Sequence, residues 1–282
     1  ANMPQYTIDE EQLTSYAAHL QEQERAPQTI QKYIHDLNAL QRYLAGKPLT
    51  MAALIGWNEH ITSIYAIATV NSMLAAVNSF LAYMGWPDCH IKALRLQRQV
   101  FRDPAKELTR EEYTRLVCAA ETAGRTRLAL LLETICATGI RVSEVKYITV
   151  EAVKAGRAEI SLKGKVRVIL LPAKLCRKLQ KYAKKQNPAS GAVFRTRSGR
   201  ELSRKQIWAE MKSICKKAGV AASKVFPHNL RHLFARCFYR ASRDIIKLAD
   251  VLGHSSVETT RIYLLSTGTE HQRHLERLRL IR

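Results

Sequence analysis

The chain has 282 residues and a mass of 32.0 kDa, enough for two domains that each bury a core. Its 45 Lys and Arg outnumber 24 Asp and Glu, giving a formal net charge of +21 and a pI near 10.0, a field that attracts polyanions and resists self-association. No run of 18 apolar residues occurs, Ala1-Asn2-Met3-Pro4-Gln5 lacks the layout of a secretory signal, and the six cysteines are never closer than 18 residues, which argues against a membrane span, a secreted disulfide scaffold and a CxxC zinc or redox motif.

The expectation is a soluble, intracellular protein that partners nucleic acid. An anionic membrane surface is the rival, but it would need a basic amphipathic helix or a Lys tract, and the charges here are scattered. They are also unevenly shared. Residues 1–107 hold 9 Lys and Arg against 10 Asp and Glu, whereas the remainder holds 36 against 14, a balance of +22.

In chain order, Thr7-Ile8-Asp9-Glu10 has capping-box spacing, and Leu13, Tyr16, Ala17 and Leu20 follow at helical intervals. A second helix is expected from about Pro27, with Ile30, Tyr33, Ile34, Leu37, Leu40 and Leu44 on one face and Gly46 as its stop. A short third is expected over Thr50–Trp57, and a fourth from Ile61 to Met84. With no period-two alternation, residues 1–92 read as an all-helical domain. Residues 93–107, with Arg95, Arg98, Arg102 and Asp103-Pro104, read as a charged linker able to pass along a duplex.

A second domain is expected over 108–282. It opens on Thr109-Arg110-Glu111-Glu112, another capping box, followed by an apolar helix over Leu128–Ala137 that Gly139 closes. Ser143-Glu144 is expected to begin another helix. Strands are expected over Glu159–Leu162 and Val166–Leu171, joined by a basic turn at Lys163-Gly164-Lys165, with a further short strand at Ala192–Phe194. Helices are expected over Ala173–Gln186, Ser203–Ala218, Pro227–Arg240, Asp244–Leu252, Val257–Leu264 and Thr269–Leu280.

A lone His or Tyr on a helix is more often a packed core residue than a functional one. The weight lies in the combination: Ala137-Thr138-Gly139-Ile140-Arg141-Val142-Ser143-Glu144, then His228-Asn229-Leu230-Arg231-His232, then Leu252-Gly253-His254, with Tyr263 nine positions later. In order and spacing these boxes resemble those of the tyrosine recombinases, the phage integrase family. Thr29-Ile30-Gln31-Lys32-Tyr33 and Thr69-Val70-Asn71 look like helices of that family's core-binding domain.

The resemblance implies a mainly helical protein with a small β-hairpin: an N-terminal all-helical core-binding domain of the SAM-like type and an α+β catalytic domain, clamped around duplex DNA. It implies strand cleavage and rejoining through a covalent 3′-phosphotyrosyl intermediate, without metal or cofactor. It also implies a cytoplasmic, nucleoid-associated protein of prokaryotic type, and a homotetramer on paired inverted core sites, monomeric or dimeric before synapsis, with the basic final helix packing on a neighbouring protomer.

On that likeness, Arg141 and Arg231 would meet the charge on the non-bridging oxygens with planar, permanently charged guanidiniums. Replacing either by Ala should lower cleavage by more than about a hundredfold with little effect on the fold. Tyr263 would be the nucleophile; a phenol with pKa near 10 is about a thousandth ionised at pH 7, so a base must take its proton. His228 is the candidate base, and His254 would hydrogen-bond the scissile phosphate. Lys163 would protonate the leaving 5′-oxygen, with Lys165 close behind, because the turn is shorter than the common Gly-Lys-Gly-x-Lys form and its register is ambiguous. Thr29, Lys32, Thr69, Asn71, Lys165 and Arg167 are expected DNA contacts, and His232 a packed residue. Two other readings fit parts of the pattern: a type IB topoisomerase and a basic DNA-binding protein without catalysis.

Overall fold

The structure, a computed structural model, describes residues 5–95, 102–162, 165–186, 190–265 and 268–280. It divides into two units, residues 1–98 and 99–282.

The first unit is a four-helix bundle: α1 (Glu10–Glu22), α2 (Pro27–Leu44), α3 (Met51–Ile64) and α4 (Ile67–Tyr83). The cap of α1 lies two residues later than expected. Asp9 Oδ1 accepts from the Gln12 N–H (2.8 Å) and Gln12 Oε1 from the Asp9 N–H (3.1 Å). Pro27 stands at the first turn of α2, as its missing N–H allows. α3 runs seven residues past Trp57, and the break before α4 falls at Tyr65-Ala66, where neither Gly nor Pro marks it. Leu13, Tyr16, Leu37, Leu40, Leu54, Trp57 and Phe80 form the core, and the Tyr16 hydroxyl is satisfied by Ser79 (2.7 Å).

The segment leaving α4 is not free chain. Asn78 grips the backbone of Ile91 (2.7 and 3.1 Å), and Asn71, two turns earlier on α4, grips that of Leu94 (2.9 and 2.8 Å). At the other end of the expected linker, Arg102 pairs with Glu107 (2.6 Å), and Asn229 binds the Lys106 carbonyl (3.0 Å). Residues 96–101 lie outside the described ones.

The second unit begins with α5 (Arg110–Thr122), capped by Thr109 and Glu112 as expected, and α6 (Thr126–Thr138). Where Ser143-Glu144 were expected to open an α-helix, a 3-10 turn covers Val142–Tyr147, followed by the short α7 (Val150–Ala155). β1 (Arg157–Leu162) and β2 (Lys165–Leu170) pair antiparallel, in register from Arg157 opposite Leu170 to Leu162 opposite Lys165. Ala192 makes only an isolated bridge to Thr149, so the third strand is not formed.

Then come α8 (Ala173–Gln186), α9 (Arg204–Ala218), α10 (Pro227–Ser242), α11 (Ile245–Leu252), α12 (Val257–Arg261), a 3-10 turn at Ile262–Leu264, and α13 (Gly268–Arg277). Leu116, Leu131, Leu132, Ile135, Leu179 and Met211 centre the main core. A smaller cluster holds Ala235, Leu248, Leu252 and Tyr263 with Phe234 and Phe238 packed on it. Among the described residues no helix is long and apolar enough to cross a membrane.

Candidate active site

Two glycines set the geometry around the arginines. Gly139 closes α6 at φ +66°, a conformation that suits glycine, and a Cβ there would lie 2.4 Å from the Phe234 ring. The turn it makes delivers Arg141 to the rim of the site. Gly253 closes α11 at φ +66°, and a Cβ there would meet Arg167 Cδ at 2.5 Å. The small residue lets Arg167 cross the chain just before His254.

Arg231 is 1% exposed, and a buried guanidinium must be met by acceptors. It donates to the Gly139 carbonyl, to the Leu252 carbonyl (2.8 Å) and to His254 Nε2 (3.0 Å), so one side chain ties together the ends of α6 and α11. Its Nε is buried with no hydrogen-bond partner. Arg141 is more open, its side chain 42% exposed, and is held by the buried Glu144. The carboxylate accepts from the Arg141 N–H (2.7 Å) and Nη1 (3.0 Å). It also accepts from Arg167 Nη1 (2.7 and 2.9 Å).

Tyr263 is buried on the face of α10 that carries His228, Arg231 and His232, residues spaced three and four apart. Its ring centroid lies 4.2 Å from that of His232, 5.4 Å from His254 and 5.5 Å from His228, and 5.9 Å from Arg231 Cζ. Phenol, guanidinium and three imidazoles of one chain therefore converge, although they span 36 positions of sequence.

The imidazoles are held neutral. Burial, the neighbouring His228 and then Arg236 and Arg231 push the His232 pKa down to about 3. Burial followed by Arg231 and Arg141 pushes that of His254 down to about 4. The His228 pKa is lowered by burial, then Arg231 and Arg141. His254 Nε2 receives an Arg231 N–H, so its ring proton sits on Nδ1, 2.9 Å from Thr260 Oγ1. Burial also lowers the Arg231 pKa, opposed by the Tyr263 oxygen and reinforced by Arg141 and Arg167. Arg141 and Arg167 share the one Glu144 carboxylate, and Arg231 pairs with no carboxylate among the described residues, so the excess of positive charge suits an anionic ligand.

Two cavities open beside this cluster. One of about 380 Å³ is walled by Arg141, His228, Arg231, Arg204 and Trp208; another of about 590 Å³ by Arg141, Glu144, Arg167, Gly253 and His254. Arg141 borders both.

Of the expected catalytic residues, Arg141, His228, Arg231, His254 and Tyr263 come together. Lys163 lies outside the described residues, as does the side chain of Lys165, whose backbone opens β2. Arg167, expected on DNA, is instead turned inward, committed to Glu144 and to the Val251 carbonyl (2.9 Å). Asn71 is likewise occupied as a backbone clasp. Lys32 pairs with the buried Asp36, Thr29 is half-buried on the same helix, and Thr69 is exposed on the first turn of α4. His232, expected merely to pack, is the imidazole nearest the phenol. Trp208 and Arg204 border the site with no motif to announce them.

The phage integrase family model matches residues 106–270, and the model of that family's N-terminal SAM-like domain matches residues 13–86. The chain belongs to the phage integrase family. This integrase-family enzyme is 30% identical over 282 residues to tyrosine recombinase XerA of Thermococcus kodakarensis, covering 96% of each chain. It is 29% identical over 294 residues to tyrosine recombinase XerC of Roseiflexus castenholzii, covering 94% of this chain and 92% of that one. A crystal structure of a lambda integrase dimer bound to a COC′ core site superimposes with a TM-score of 0.72 at 18% identity, covering 93% of this chain and 77% of that one, a likeness of fold. The expected architecture, mainly helical with a SAM-like domain and a catalytic domain bearing a small hairpin, is borne out. So is the enzyme class, a tyrosine site-specific recombinase.

Proposed function

We propose that this integrase-family enzyme cleaves and rejoins duplex DNA through a covalent 3′-phosphotyrosyl intermediate on Tyr263, to integrate, excise or resolve a DNA element or replicon. The observation that carries the reading is the packing of the Tyr263 ring against Arg231, His228, His232 and His254 of its own chain.

Arg141 and Arg231 hold the non-bridging oxygens of the scissile phosphate, and the unpaired Arg231 Nε is a donor that this anion would satisfy. The phenol oxygen turns out from its buried position and attacks phosphorus. Its proton passes to His228, which its lowered pKa keeps neutral and ready to accept near pH 7. The bond to the 5′-oxygen breaks, and that oxygen takes a proton from the hairpin, from Lys163 by position or from Lys165. Rejoining reverses these steps with a 5′-hydroxyl from the partner strand. Burial first, and then the field of Arg231 and Arg141, lower the His254 pKa; the arriving phosphate offsets the second of these causes and so favours a ring proton shared with a phosphate oxygen.

The assembly proposed is a homotetramer on paired inverted core sites, from monomers or dimers. Leu275, Leu278 and Leu280, 58–82% exposed near the C-terminus, support exchange of α13 onto a neighbouring protomer. The test is a nicked suicide duplex carrying DNA that flanks the gene. Wild type should leave an SDS-resistant protein–DNA complex, and Tyr263→Phe should bind the same DNA and leave none. Covalent capture by the variant would defeat the assignment. Relaxation of supercoils without site preference or recombinant product would favour topoisomerase chemistry instead.

A further inference from the structure

The wall of the Arg141 cavity holds an aromatic side chain that strand cleavage, as described, does not use. Trp208, the fifth residue of α9, is 52% exposed although it stands beside Ile140, Arg141, His228 and Arg231 around about 380 Å³ of open space. Its neighbours on the helix, Ile207 and Met211, are 1% and 0% exposed, so the packing of α9 is complete without it. The Lys212 ammonium sits 4.6 Å from the indole centroid and 5.8 Å from that of Phe226, and donates to the Ala222 carbonyl. This cation–π contact fixes the indole beside the cavity.

A large aromatic left open in a cationic cleft suits a ligand with both a phosphate and an apolar surface. In a nucleotide of duplex DNA, the bases are already stacked on one another, whereas the C–H face of the deoxyribose is open to a side chain approaching the backbone. We propose that Trp208 packs against the deoxyribose adjoining the phosphate held by Arg141 and Arg231, and thereby fixes which phosphate sits in the cavity. This inference rests on the recombinase reading. One sugar contact adds little to binding that many phosphate contacts dominate. The effect should therefore appear in the cleavage rate at saturating DNA.

The experiment uses the full chain and a nicked duplex that wild type captures covalently. Trp208→Ala should slow single-turnover cleavage about tenfold at saturating DNA, and Trp208→Phe should stay within about twofold of wild type. Both variants should bind with the wild-type salt dependence. With 2-aminopurine at either base flanking the cut phosphate, fluorescence should be the same in complexes of wild type and Trp208→Ala. Wild-type cleavage by Trp208→Ala would overturn the proposal, as would a loss confined to affinity. Quenching of 2-aminopurine by wild type but not by Trp208→Ala would overturn it in favour of base stacking. If wild type captured no duplex at all, the recombinase reading itself would fail and this proposal with it.

Discussion

Arg141 and Arg231 carry the same charge in different settings, and their replacements should part company. Arg141 lies at the rim on a Glu144 tether, so Arg141→Ala removes a phosphate donor and little else. We expect cleavage to fall by more than about a hundredfold with the melting temperature nearly unchanged. Arg231 is buried and joins the Gly139 and Leu252 carbonyls. Arg231→Ala should therefore abolish cleavage and also lower the melting temperature by about 5 °C or more, because it leaves those acceptors unmet. The sequence alone leads to the expectation that neither change disturbs the fold; the buried position of Arg231 predicts a departure from it for the second variant only. Equal melting temperatures for the two variants would contradict the buried strut.

The histidines predict a pH dependence. His232 and His254 have folded pKa values of about 3 and about 4, against an ordinary 6.5. Between those limits the unfolded chain binds more protons, so their contribution to stability is complete above about pH 6.5 and is lost as pH falls, towards about 4 for His254 and about 3 for His232. Denaturant midpoints measured from pH 7 to 4 should drop, and His232→Phe should flatten that drop by removing one of the two groups. A slope unchanged by the substitution would mean that His232 is not buried neutral.

At the scale of elements, the glycine that ends α6 orders the site. Gly139→Ala imposes a left-handed conformation on a side chain that also meets Phe234, a cost of about 1–3 kcal/mol. Lower stability and slower cleavage should appear together, since Arg141 follows two residues on. That glycine was legible in the sequence, because a helix-closing residue after a long apolar run has few other uses.

Helices with capping boxes or Pro at the first turn were legible too, but the boundary between α3 and α4 was not. Tyr65-Ala66 breaks the chain in an exposed stretch that holds neither Gly nor Pro, so no local breaker marks it. The 3-10 turn after Arg141 was missed because Glu144, a good helix former, is held by Arg141 three residues before it and by Arg167 across space. Asn71 and Arg167 looked like DNA contacts since a polar side chain in a family box carries no mark of which way it faces. Trp208 lies in no box, and only the fold brings it to the cavity.

At the scale of the molecule, the charge separates the two parts of the chain: +22 lies beyond residue 107 and −1 before it. A polyanion bound by that excess displaces counterions, so affinity for duplex DNA should fall steeply with salt, with a log–log slope of roughly −5 or steeper. Titrations from 50 to 300 mM salt would show it, and a nearly flat slope would mean that the charge serves something other than DNA.

The central claim is that one chain supplies both Tyr263 and the arginines that activate its target. The direct measurement mixes Tyr263→Phe with Arg231→Ala on a nicked suicide duplex and quantifies covalent complex. A nucleophile acting in its own chain predicts no complex above that of either variant alone. Recovery towards about a quarter of the wild-type yield in an equimolar mixture would mean that the phenol attacks in a neighbour's site, and would contradict the account.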